Sequence, residues 1–199
     1  WNRISELKKA GHTISLITWQ EIRKDDIPSK QQIKVVSQVV NSLFLLGIAR
    51  NWKRVLSLLR YPSLVGARFV KKKQYQDILE ETRNFAPDFI FVDGVYGALL
   101  GLQLKKDLSI PIGVRLHNIE SSYMQGQLLL AKKLKDKLSL MAACLHLKSY
   151  KEAIIAKCDA FFDISLDDLI YWNNKGFKHG HWLPIISMKN KSDIKPNKF

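Results

Sequence analysis

Arg115, His117, Asn118 and Glu120 fall within six consecutive residues. Arg115 supplies a permanent cation, His117 a group that exchanges protons near neutral pH, Asn118 an amide and Glu120 a carboxylate. A histidine in such a turn can donate to a developing oxyanion or hold a hydroxyl, and Glu120 can orient it. The same residue types also suit a turn that merely caps the next helix, so spacing alone leaves both readings open. Two further turns carry polar groups after short apolar runs. Asp93-Gly94 follows Phe89–Val92, and Ser165 follows Ala160–Ile164 with Asp168 three residues on, an approximate capping box.

Other residues carry less chemistry. His179-Gly180-His181 is half of a metal site without a third ligand, so no metal is expected. Cys144 and Cys158 are too few for a disulfide framework and read as core residues of a chain suited to a reducing compartment. Gly94, Gly97 and Gly101 depart from the dinucleotide fingerprint G-x-G-x-x-G, and Gly97 and Gly101 are expected to let a helix lie close on a sheet. The five tryptophans are scattered and form no base-stacking platform.

The elements that must position these turns alternate between helix and strand. Asn2–Ala10 reads as a helix closed by Gly11, and Thr13–Trp19 as a strand. Ile33–Leu59 reads as mostly helical with an interruption near Gly47, and Pro62 ends it. Tyr75–Phe85 is predicted helical, Phe89–Val92 a strand buried on both faces, Tyr96–Leu108 a helix and Ile112–Leu116 a strand ending in His117. Ser121–Lys157 is predicted as a long helix bent near Ala142–His146. Ala160–Ile164, Leu166–Asn174 and His181–Ile186 complete the alternation as strand, helix and strand. Strands separated by helical crossovers predict parallel pairing, hence an α/β fold with a doubly wound, mostly parallel Rossmann-like sheet.

The 199 residues carry 32 Lys+Arg and 18 Asp+Glu, a formal charge of +14 and a pI near 9.8. From Ile27 to Gln76 no acid occurs, while ten basic residues do. Leu45, Ile48, Ala49, Trp52, Val55, Leu56 and Leu59 recur there at helical steps, with Arg50, Lys53 and Arg54 off the stripe. That pattern predicts a cationic amphipathic helix contacting an anionic membrane through Arg50, Trp52, Lys53 and Arg54; an ordinary surface helix gives the same pattern. With 46% apolar residues the chain can build a core, which excludes wholesale disorder. No apolar run is long enough to predict a transmembrane helix, and Trp1–Ala10 is too charged for a signal peptide.

The ordered motifs resemble a known family. Glu6–Thr18 (ELKKAGHTISLIT) is similar to the "L-x-x-x-G-H-x-V-x-L-I-T" opening of GT-B glycosyltransferases of family 4. Pro87–Asp93 resembles their "P-D-hydrophobic" strand, and Arg115–Ser121 the "H-N-x-E" turn of members that build bacterial surface polysaccharides. Tyr150-Lys-Glu152, Cys158-Asp-Ala160 and Ser165–Asp168 resemble the later "Y-E … x-D-A … S-x-x-D" run, so the likeness extends from about Glu6 to Ile186.

The resemblance implies the acceptor-binding half of a two-domain enzyme of polysaccharide biosynthesis, cytoplasmic and peripheral on the inner membrane face. On that reading residues 1–186 form one Rossmann-like domain without its first strand, and 187–199 begin an interdomain linker of a longer polypeptide. By resemblance His117 matches the family's cleft histidine, with Asn118 and Glu120 beside it, and Ser165 and Asp168 match a second cleft turn. His117 and Glu120 are the expected catalytic residues, and Asp93, Gly94, Arg115, Asn118, Ser165 and Asp168, all at or near strand carboxyl ends, the expected substrate-binding ones. The domain needs no cofactor of its own. The nucleotide-sugar donor binds mainly to the other domain, which carries the family's E-x7-E motif, and the acceptor is a glycan or a lipid-linked sugar. Alternatives are a sugar-nucleotide epimerase of similar fold and a basic nucleic-acid module. The second suits the charge but lacks the aromatic partners and signatures of such modules, so nucleic acid is not an expected partner.

Overall fold

The computed structural model describes residues 2–20, 30–48, 52–66, 68–117 and 126–184. Two parallel sheets form the centre. The first pairs β1 (Ser15–Gln20) with β2 (Ser42–Gly47), joined through α2 (Lys30–Val39). The second runs in the order β3 (Ile90–Asp93), β4 (Ile112–Leu116), β5 (Ala160–Asp163), β6 (Gly180–Trp182), all parallel. The helices are α1 (Asn2–Lys9), α3 (Trp52–Ser57), α4 (Ser63–Gly66), α5 (Lys72–Phe85), α6 (Ala98–Leu108), α7 (Leu134–Cys144), α8 (Leu147–Ile155) and α9 (Leu166–Asn174). This is an α/β protein with parallel sheets flanked by helices, a Rossmann-like doubly wound arrangement.

One core joins the two sheets. Ile78 of α5 and Leu100 and Leu104 of α6 are buried together with Leu46, against Ile17, Trp19 and Phe44 of the first sheet and Ile90 of the second. A larger core lies under β4 and β5, where Ile112, Val114, Leu116 and Phe161 meet Ile154, Ile155 and Trp172. Asp159 ties the amino edge of this sheet together: Oδ2 accepts the Ile112 N–H at 2.7 Å, and Oδ1 the Lys105 ammonium at 2.7 Å. No described helix is long and apolar enough to cross a membrane.

Several expectations change. The predicted helix Ile33–Leu59 is split by β2, because Leu43–Leu46 pairs in register with β1 and ladder bonds override a period that fits both structures. Leu45 therefore lies on a strand, and the stripe from Leu45 to Leu59 is not one helix. β3 buries only one side: Phe89 and Phe91 are 42% and 36% exposed, so the run is not buried on both faces. Among the described residues, the long helix after Ser121 is divided into helical residues 126–130, α7 and α8, with breaks at 131–133 and at His146, whose φ is 60°. The last strand is shortened to Gly180–Trp182.

Gly101 does what close helix–sheet contact requires. A Cβ there would lie 2.7 Å from Val92 Cγ2 and 2.8 Å from Ile112 Cδ1. Gly101→Ala is expected to destabilise the fold by about 1–3 kcal/mol through overpacking, reduced by the helix propensity that alanine gains. Gly126→Ala, with no atom within 4 Å of the added methyl, is expected to be neutral or stabilising. Urea midpoints of the two variants check the contrast.

Candidate functional site

The register of β3 and β4 sets Asp93 opposite Arg115. Paired residues share a face, so the two side chains meet: Arg115 Nη1 donates to Asp93 Oδ1 at 2.9 Å. His117 stands two residues beyond Arg115 and returns to that face by strand alternation. Its Nε2 lies 3.2 Å from the same carboxylate oxygen. Arg115 is buried, and among the described residues its Nε has no hydrogen-bond partner. His117 and Asp93 are half-exposed.

Gly94 makes this approach possible. Its φ is +89°, a conformation that side chains other than glycine's rarely adopt. Its N–H donates to the Arg115 carbonyl at 3.0 Å, and a Cβ would lie 3.2 Å from both Cδ2 and Nε2 of His117. Glycine thus lets the β3 turn fold against the imidazole.

The electrostatics follow. The His117 hydrogen bond, then the Arg115 guanidinium, hold the Asp93 carboxyl well below the usual carboxylate range, against the opposing effect of burial. Asp93 is therefore an anion at neutral pH. A carboxylate that accepts from Nε2–H leaves Nδ1 of a neutral imidazole as an acceptor, the arrangement that makes histidine a base for a hydroxyl. Arg3 of α1 adds a further cation, its guanidinium 5.7 Å from the Phe91 ring centroid, and burial, then Arg115, lower its pKa.

The neighbouring turn works differently. Leu116 pairs with Asp163, so Asp163 lies on the helix-covered face, opposite Arg115. Asp163 is fully buried and accepts the Ser165 N–H at 3.3 Å through Oδ1, while among the described residues Oδ2 has no partner. Burial pushes its carboxyl up to about 6, opposed by the Ser165 N–H and Lys151. Ser165 Oγ accepts the Asp168 N–H at 3.4 Å as the N-cap of α9. Asp93, Gly94, Arg115 and His117 thus form one constellation. Ser165 and Asp168 share its sheet edge but form a separate, capped turn. Asn118 and Glu120 lie outside the described residues, as does Arg50, and Trp52, Lys53 and Arg54 are described only through the backbone of α3.

Arg68 escaped the reading of the sequence, where it was one cation in a basic window. Its guanidinium lies 4.6 Å from the Tyr96 ring centroid and 5.9 Å from that of Trp19. Trp19 lies near the carboxyl end of β1, and Tyr96 follows Gly94, so this partly buried cation also belongs to the carboxyl side. Only contact between distant segments identifies it.

His179 and Cys158 are hydrogen-bonded within the fold. His179 Nε2 donates to the Ile155 carbonyl at 2.8 Å, and among the described residues no group of three or more His, Cys, Asp or Glu could hold a metal. Burial pushes the Cys158 thiol up to about 11, leaving little thiolate at neutral pH. Comparison with protein-family models and with curated proteins returns no match.

Proposed function

We propose that this chain is the acceptor-binding half of a glycosyltransferase, moving a sugar from a nucleotide-sugar to a glycan or lipid-linked acceptor in polysaccharide biosynthesis. The observation that carries the reading is the Asp93–His117 pair beside Arg115, at the carboxyl edge of a parallel sheet, where ligands of open α/β folds bind. The ordered resemblance from Glu6 to Ile186 supports it independently.

In the proposed reaction Asp93 fixes the His117 ring through Nε2–H. Nδ1 takes the proton of an acceptor hydroxyl as its oxygen bonds to the anomeric carbon. The bond from that carbon to the donor phosphate breaks, and its electron pair leaves on the nucleoside diphosphate. The transition state resembles an oxocarbenium ion. Gly94 lets the ring reach this position, Glu120 is assigned as the second catalytic group beside His117, and Asn118, Ser165 and Asp168 are assigned to acceptor hydroxyls. Arg68, held near the Tyr96 and Trp19 rings, suits the phosphate of a lipid-linked acceptor. A second domain holds the nucleotide-sugar, and the acceptor is met at an anionic membrane surface.

The test is an NMR titration of the 199-residue chain, read on the His117 ring protons. Short glycans and a sugar-bearing polyprenyl phosphate are expected to move these resonances, and nucleotide-sugars to move them weakly or not at all. No response to any sugar would overturn the reading. Binding of arbitrary duplex DNA with a steep salt dependence would replace it with a nucleic-acid module.

A further inference from the structure

The helix α7 presents its apolar stripe to water. Leu134, Leu138, Met141 and Leu145 follow at steps of four, three and four residues, which at about 100° per residue places them within one arc of roughly 60°. Leu134 is 73% exposed, Leu138 58%, Met141 55% and Leu145 46%. Ala143, the residue that α7 buries, lies about 180° around the helix from Leu134. An ordinary surface helix has the reverse orientation, leucines inward and charges out. The exposed run begins earlier, since Leu129 and Leu130 in the helical residues 126–130 are also open to solvent.

Charge frames the stripe. From Ser121 to Lys148 the sequence has Asp136 as its one acid, against Lys132, Lys133, Lys135, Lys137 and Lys148. Lys135 and Lys137 are exposed and lie about 90° and 70° to either side of the leucine arc. Their aliphatic stems can lie along the apolar face while the ammonium groups reach phosphates above it. α4 touches both α7 and α3, and beyond α3 Leu59 is 81% exposed within the acid-free window Ile27–Gln76. Exposed aliphatic and basic groups therefore flank α4 on both sides.

We infer that α7 is an interfacial helix, laying the Leu134–Leu145 stripe into the headgroup boundary of an anionic bilayer with its flanking lysines on lipid phosphates. The aliphatic stripe carries no tryptophan, tyrosine or arginine, the anchors of protein interfaces. A second copy would bring another chain of charge +14 against this one. Nucleic acid would use the lysines and leave the leucines wet. The inference rests only on the membrane part of the proposed function. It adds α7 to the contact expected around Trp52 and uses no residue of the carboxyl-edge site.

The experiment is co-sedimentation of the chain with phosphatidylcholine vesicles, with and without phosphatidylglycerol. Binding is expected to need phosphatidylglycerol and to weaken with salt without vanishing. Leu138→Gln with Met141→Gln is expected to lower the partition coefficient at least about 10-fold, including the salt-resistant part. Lys135→Glu with Lys137→Glu is expected to remove the salt-sensitive part. These side chains are exposed, so an unchanged circular dichroism spectrum is expected and separates lost docking from misfolding. Three results would overturn the inference: no binding by the parent chain, equal binding to both vesicle types, or undiminished binding by the leucine variant. A dimer in sedimentation equilibrium that Leu138→Gln with Met141→Gln dissolves would name a second copy as the occupant instead. Failure here leaves the His117 titration untouched, and failure there leaves the vesicle result standing.

Discussion

On the proposed function, His117→Ala in a polypeptide that carries both an acceptor and a donor half is expected to lower kcat by roughly 100-fold or more, with little change in the acceptor KM. The expectation follows from the geometry. Nε2 of His117 is committed to Asp93 at 3.2 Å, so the function of the ring rests on its other nitrogen. A group that only held the acceptor would act equally in ground and transition states, and its loss would raise KM. A general base acts as the proton moves, and its loss appears in kcat. Asp93→Asn keeps the shape of the partner but removes the anion that fixes the ring. A kcat loss of about 10-fold or more is expected, with Arg115 then facing a neutral amide. If His117→Ala raises KM alone, the residue positions acceptor and the base lies elsewhere. If both variants keep full activity, the carboxyl-edge pair is not the reacting site.

Much of this site can be read from sequence for local reasons. Ile112–Leu116 is apolar except for Arg115 and lies between Pro111 and a polar turn, and a buried parallel strand is a simple outcome of that pattern. Its end fixes where His117 stands. Ser165 before a helical run is an N-cap on sequence grounds, and its hydroxyl accepts the Asp168 N–H. Some motif residues prove to have architectural roles. Tyr150 donates its hydroxyl to the Val95 carbonyl at 2.9 Å, and Asp159 secures β4. The failures share a cause: local pattern does not say what an element packs against. Leu43–Leu46 fits a helix stripe and a strand equally, and pairing with β1 decides it. Periodicity defines the α7 stripe without saying that it faces outward. Arg68 is notable only through Tyr96 and Trp19, which come from other segments. Asp163 left a usable signal, since it alternates with Phe161 and the pair shares one buried face.

That buried carboxyl gives the protein an unusual dependence of stability on pH. Asp163 is pushed up to about 6 in the fold, against about 3.9 in an unfolded chain. The folded state therefore holds this proton more tightly. The stability it supplies is full below about pH 4, falls as pH rises towards 6, and is constant above that, a loss on the order of 2–3 kcal/mol. Asp93 works in the opposite sense: its carboxyl is lowered, so its contribution is present above about pH 4 and fades as pH falls further. Asp159, lowered by the Lys105 hydrogen bond and then the Ile112 N–H, acts as Asp93 does. The summed contribution of these three carboxyls is greatest between about pH 4 and 5. Urea midpoints measured from pH 4 to 8 should fall across the middle of that range in the parent chain. Asp163→Asn has no proton to lose there, so the fall should disappear. Lys151→Met removes a buried cation that favours the Asp163 anion, so the fall should extend to higher pH. An unchanged slope in Asp163→Asn would mean that another group titrates in this window. The Lys151 variant would still separate the two cases, because only a carboxyl under the influence of that ammonium shifts when it is removed.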